Sequence, residues 1–159
     1  MAQTPDANPV PVAAKHVFPT TPTRKPDGQK WRIGYFKSGD YVDYPKTLHF
    51  IAQGLQQLGW VSLPAIPDGL SGKQLWQLLA EHAHSDTIEF VADAWWHSGN
   101  FDADQRPEVR KIILERLKKR KDIDLVIAMG TWAGQDMASI GAPDLPWSLC
   151  PAIRSAHTS

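Results

Sequence analysis

The sequence predicts an α/β fold, a three-layer parallel sheet with helices on both faces. Three observations lead there. Short β-rich runs alternate with longer segments of helical periodicity. Each intervening segment is long enough to cross from one parallel strand to the next. The run "DLVIAMG" (Asp124 to Gly130) is continuously apolar rather than alternating, as strands covered on both faces are.

The first thirty residues hold six prolines and no apolar periodicity. They read as a disordered leader or tether, residues 1–30, with the folded part beginning near Trp31. "WRIGYF" is the first strand and runs into the turn "KSGD". Pro45 opens a helix with Leu48, Ile51, Leu55 and Leu58 at helical spacing, closed by Gly59. Ser71 to Ala83 repeats the helical signal through Leu75, Leu78 and Leu79, with Ser71 as N-cap.

"IEFVADAWW" is the second strand. Asp104 is expected to cap the next helix, with Pro107 in its first turn and Val109, Ile112, Ile113 and Leu117 facing inward. That helix ends in "KKRKD", where cations suit the helix dipole, and the charge run around it reads as a solvated face. After the third strand, "TWAGQDMASI" forms a helix stopped by Gly141 and Pro143. The α/β part therefore spans residues 31–143, with an irregular tail at 144–159.

Composition narrows the function. Of 159 residues, 42% are hydrophobic and 21% charged, a globular balance. Lys+Arg and Asp+Glu both number 17, so no net charge argues for nucleic acid as a partner. A single cysteine, Cys150, excludes an internal disulfide framework and any zinc site built from several cysteines. No apolar run is long enough to span a bilayer.

Ligands of open α/β sheets bind at the carboxyl ends of the strands. Three loops are thereby singled out: Lys37 to Tyr44, Trp95 to Asp104, and Gly130 to Ala133. In the third, Gly130 allows a close turn, and Thr131 is expected to cap the following helix with its hydroxyl while free N–H groups favour an anion. Ser38 and Gly39, beside Asp40, offer a similar donor cluster. Trp95, Trp96 and Trp132 lie at the same ends, where an aromatic face can stack on a ligand. Trp95 and Trp96 point to opposite faces of a continuous strand, so only one of the two is expected to be available. A purely local role, with Gly130 as turn glycine and Thr131 as cap, stands beside the ligand-binding one.

Enzyme motifs are wanting. "GTWAG" is neither a P-loop nor a dinucleotide fingerprint, and "IGYFKSGD" lacks the spacing of a nucleophile elbow. His82 and His84 diverge on a helix, and His97 beside Asp93, Asp102 and Asp104 reads as part of a solvated loop. No catalytic residue, metal or cofactor is expected.

The order "KWRIGYFKSGDY", then "QGLQQLGW", then "DLVIAMGTWAGQDM" resembles the amino-terminal lobe of ABC-transporter substrate-binding proteins with a type I periplasmic-binding-protein fold. The resemblance spans about Lys30 to Pro143. It implies one lobe of a clamshell that closes on a small solute and delivers it to a membrane permease, without chemistry of its own. Carried over position by position, it implies that Ser38, Gly39 and Asp40 form the turn after strand one, and that Gly130 and Thr131 are the Gly-Thr pair after strand three. The ligand is then held by the Ser38 turn, the Trp95 to His97 loop and the Gly130-Thr131 helix start. Trp132 stands where the family often has a small residue or proline.

The same resemblance implies roughly half a clamshell, with an unfilled sheet edge. The tail "LPWSLCPAIRSAHTS" departs from the family pattern. Shifted in frame under ordinary codon choices, it yields Val-Val-Ser-Gly-Asp-Pro, so a frameshift near Pro146 is expected to have truncated a longer gene. Met1-Ala2-Gln3 looks like the end of an A-x-A cleavage site. A periplasmic location is expected if an export signal lies upstream, and a cytoplasmic one otherwise. The alternative from another class is a small flavodoxin-like or nucleotide-handling enzyme domain using the same strand ends.

Overall fold

A computed structural model describes residues 19–140. Residues 1–18 of the expected leader lie outside the described residues, as do the helix stop at Gly141 and Pro143 and the tail at 144–159.

Three strands, β1 (Trp31–Lys37), β2 (Ile88–His97) and β3 (Leu125–Met129), form one parallel sheet in the order β2-β1-β3. Helices α1 (Tyr44–Gln57) and α2 (Gly72–His82) lie between β1 and β2, α3 (Arg106–Glu115) lies between β2 and β3, and α4 (Thr131–Ile140) follows β3. The two crossovers run in opposite directions along the sheet. Right-handed crossovers then require their helices to lie on opposite faces.

The core divides accordingly. On one face Ile33, Tyr35, Ile88 and Phe90 pack against Leu48 and Ala52 of α1 and Leu75, Trp76 and Leu79 of α2. On the other, Phe36, Val91, Ala94 and Trp96 pack against Ile113, Leu117, Ala133 and Ile140. Consecutive residues of β1 feed different cores, Tyr35 one and Phe36 the other, because side chains alternate across a strand. This is the three-layer arrangement expected from the continuous apolar runs.

Local signals account for most of the helix starts. Ser71 accepts from the Gln74 amide while the Gln74 side chain accepts from the Ser71 amide, a complete capping box. Pro45 sits in the first turn of α1 and Pro107 in that of α3. Asp104 is not the cap of α3. Gln105 occupies that position without a side-chain cap bond, and Asp102 instead accepts from the Asp104 amide and the Gln105 side chain. Ile112, expected to face inward, is exposed, as is Leu58 at the end of the α1 periodicity.

The charged run after α3 also departs from a solvated face. The helix widens into one π turn, Arg116–Arg120, which carries Arg116 inward until it is only 7% exposed. Its guanidinium lies over the Trp96 ring, 5.6 Å from the centroid, and binds Asp93 at 2.8 Å and Asp122 at 3.0 Å. The hydrogen bond from Arg116 holds the Asp93 carboxyl below its ordinary pKa. Burial alone would raise that of Asp122, but hydrogen bonds and charge from Arg116 outweigh it and hold it below as well.

Residues 19–30, expected as part of the tether, are fastened to the fold. Trp60 Nε1 donates to the Thr20 carbonyl and Trp31 Nε1 to that of Thr23, both at 2.9 Å. Lys25 pairs with Asp124 at 3.1 Å. Two indole donors at the sheet's amino-terminal end need acceptors, and this proline-rich chain supplies backbone carbonyls for them.

Candidate functional site

The carboxyl ends of the three strands bring together the three loops singled out by the sequence. Strand order reverses at β1, so α1 leaves on one face and α4 on the other, opening the crevice where ligands of such sheets bind.

Ser38 organises this crevice. It is 1% exposed, its amide and hydroxyl both donate to the Met129 carbonyl, and its Oγ accepts from the Ala133 amide at 3.1 Å. A side chain from the end of β1 therefore caps α4. Thr131, expected to be the cap, is the first residue of α4 and is exposed. The N-cap position belongs to Gly130, whose φ of 90° suits glycine and whose missing side chain lets Tyr44 and Ser38 approach. Ser38→Ala is expected to lower stability by about 1–2 kcal/mol, as lost caps do, while Thr131→Val stays within about 0.5 kcal/mol of the parent. Urea unfolding of both variants checks this, and the reverse ranking would return the cap to Thr131.

The loop after β2 folds over Gly39. Asn100 and Phe101 both take positive φ, the Asn100 carbonyl oxygen Oδ1 accepts from the Asp40 amide at 2.6 Å, and Phe101 lies against Gly39, where a Cβ would collide with its ring. Behind the loop, Asp136 of α4 is 1% exposed and receives Arg106 through both carboxylate oxygens and Ser98 Oγ at 3.1 Å. Trp132 packs against Phe101 and under the Arg106 guanidinium. It braces the loop on the face of α4.

The two tryptophans ending β2 separate as expected. Trp96 belongs to the α3/α4 core beneath Arg116, which takes it out of the site. Trp95 stacks on Tyr35 with centroids 4.5 Å apart and planes 6° apart, and Lys37 lies 5.2 Å from its centroid. With Tyr35 and Lys37 both on its ring, Trp95 meets a ligand as a wall rather than as a free stacking face. His97 is exposed at the end of β2, paired in register with Lys37. It does not converge with Asp93, Asp102 and Asp104. Among the described residues no cluster of three His, Cys, Asp or Glu is placed to hold a metal ion.

Beside the crevice, on the α1/α2 side, a partly open cavity of about 300 Å³ lies between the end of β1 and the starts of both helices. Its floor is Tyr35 and Trp95. One wall is the segment of Tyr41, Val42, Tyr44 and Pro45, and the other is Ser71 and Gly72 at the start of α2. Lys37 and Asp40 form an ion pair at its rim, Lys37 13% and Asp40 78% exposed. Sequence reasoning missed Tyr35 and the Ser71-Gly72 wall, and it placed Lys37 at the start of a loop to inspect without giving it a role. The strand alternation that puts Tyr35 on the same face as Trp95 was the available signal. Gly72 has its own reason to be there, since a Cβ would meet the Trp95 ring at 3.1 Å.

Tyr35 is fully buried, and its hydroxyl has no hydrogen-bond partner among the described residues. Burial, reinforced by the Tyr44 phenol nearby, pushes its pKa well above the ordinary 10.0. A raised folded-state value stabilises the fold fully below the unfolded pKa and loses that contribution as pH rises through the folded one. One of the three tyrosines is therefore expected to resist ionisation at about pH 10 until the protein unfolds, and Tyr35→Phe should remove that late step from an ultraviolet titration. Three tyrosines titrating together in the folded protein would contradict the burial.

No family model matches the sequence, and neither a curated protein nor a solved structure is found to be similar to it.

Proposed function

We propose that this chain is a solute-binding module of the kind that serves an ABC transport system, holding a small molecule at the carboxyl ends of its strands for a membrane permease. The observation that carries the proposal is the cavity of about 300 Å³, at the lower end of the range for small-molecule sites, lined by aromatic rings with one ammonium at its rim. Asp40, Gly130, Thr131 and Trp132 line the accessible edge of the neighbouring crevice, onto which a second lobe of a clamshell would close, while Ser38 and Gly39 are buried behind it.

The module binds and releases without chemistry. Its sequence lacks phosphate-cradling and acyl-transfer motifs. A panel of amino acids, organic acids, sugars and amines screened by thermal shift is expected to contain a solute that raises the melting temperature of the full chain. Trp95→Ala should abolish that gain. Stabilisation by a flavin or nucleotide, and by none of the small solutes, would replace this reading with that of an enzyme domain.

A further inference from the structure

Resting on the solute-binding reading, we infer that the cavity between β1 and the starts of α1 and α2 takes a small carboxylate carried on an apolar body, with no requirement for an amino group on it. Two donors lie in its lining, and a third belongs to a lining residue that is itself fully buried. Lys37 offers a largely buried ammonium, the buried Tyr35 hydroxyl has no partner among the described residues, and Gly72 stands at the first position of α2, where a backbone N–H has no intrahelical acceptor.

A buried donor left unpaired is costly, so a ligand presenting an acceptor gains by meeting it. A carboxylate presents two oxygens and suits both the ammonium and the positive end of the α2 dipole. The remaining lining contributed by Val42, Pro45 and the rings of Tyr41, Tyr44 and Trp95 is apolar and asks for an apolar body.

Asp40 is the only acidic residue among those lining the cavity, and it is already bound to Lys37. Its carboxylate occupies the ammonium from the solvent side. An incoming carboxylate therefore competes with Asp40 for Lys37. Removing the Asp40 charge should strengthen binding rather than weaken it, a sign that simple loss of a contact residue does not produce.

Calorimetric titration of the full chain with benzoate and with benzyl alcohol tests the inference, since the two probes share a ring and differ in the carboxylate. Saturable benzoate binding is expected, about tenfold or more tighter than that of benzyl alcohol, the ratio that one charge-assisted hydrogen bond supports. Lys37→Met should reduce benzoate affinity by about tenfold or more, and Tyr35→Phe should reduce it while leaving the unliganded protein folded. Asp40→Asn, an exposed change that leaves the core untouched, should raise the affinity.

Equal affinity for the two probes, no saturable benzoate binding, or weaker binding in Asp40→Asn would each overturn the carboxylate assignment. The solute-binding reading survives such a failure if a neutral or cationic solute from the panel binds and is lost in Trp95→Ala. It fails with the assignment if no solute of any charge binds.

Discussion

Asp136→Ala is expected to destabilise the protein by about 2–4 kcal/mol, within reach of the 3–5 kcal/mol typical of broken buried ion pairs. Asp136 is 1% exposed and holds Arg106 through both carboxylate oxygens together with Ser98 Oγ. Its removal leaves a guanidinium and a buried hydroxyl without their acceptor. The figure falls below the usual upper limit because the Arg106 side chain is 26% exposed and can turn partly to water and to Gln135.

The effect should reach the site as well. The Arg106-Asp136-Ser98 link ties the loop after β2 to α4, and the same loop receives the Asp40 amide on Asn100 and donates the Phe101 amide to the Ser38 carbonyl. Urea unfolding measures the stability, and hydrogen exchange at the Asp40 amide should quicken by more than global destabilisation explains. Asp136→Asn, which keeps an acceptor for Ser98, should lose less. Equal losses in the two variants would mean that the carboxylate charge facing Arg106, which both variants lack, carries the stability, and that the bond to Ser98 and the shape of the side chain matter little.

Gly130→Ala should cost about 2–4 kcal/mol, combining a positive φ that L-residues resist with overpacking. At φ 90° an added Cβ would collide with Tyr44 Oη and Ser38 Oγ, the groups that fill the crevice between β1 and β3. Tyr44→Phe removes one of the colliding atoms, so it should be less harmful in the Gly130→Ala background than alone. A double-mutant cycle reads that coupling directly. Additive losses would show that Tyr44 does not pack on Gly130 as described.

Much of the framework was legible in the sequence because it rests on local physics. "DLVIAMG" read as a strand on continuity alone, although β3 is only half-buried, with Ala128 exposed, at the edge of the described sheet, and Ser71 and Gln74 form the cap that their spacing prescribes. Pro45 and Pro107 stand in first turns, as their missing N–H groups require. The parallel sheet, the helices on both faces and the three converging loops follow from such signals.

The fine assignment of roles belonged to the tertiary structure. Thr131 carried a good local cap signal, yet Ser38, 95 residues away from Ala133 in sequence, reaches its amide because β1 and β3 are neighbours in the sheet. Arg116 looked solvated in a run of cations until a π turn brought it beneath Asp93 and Asp122 and over Trp96. Thr20 and Thr23 looked like linker until two indoles claimed their carbonyls. Residues close along the chain set strands, turns and caps by themselves; which hydroxyl caps a helix, which tryptophan faces a cavity and which arginine is buried depend on partners brought near only when β1 takes its place between β2 and β3.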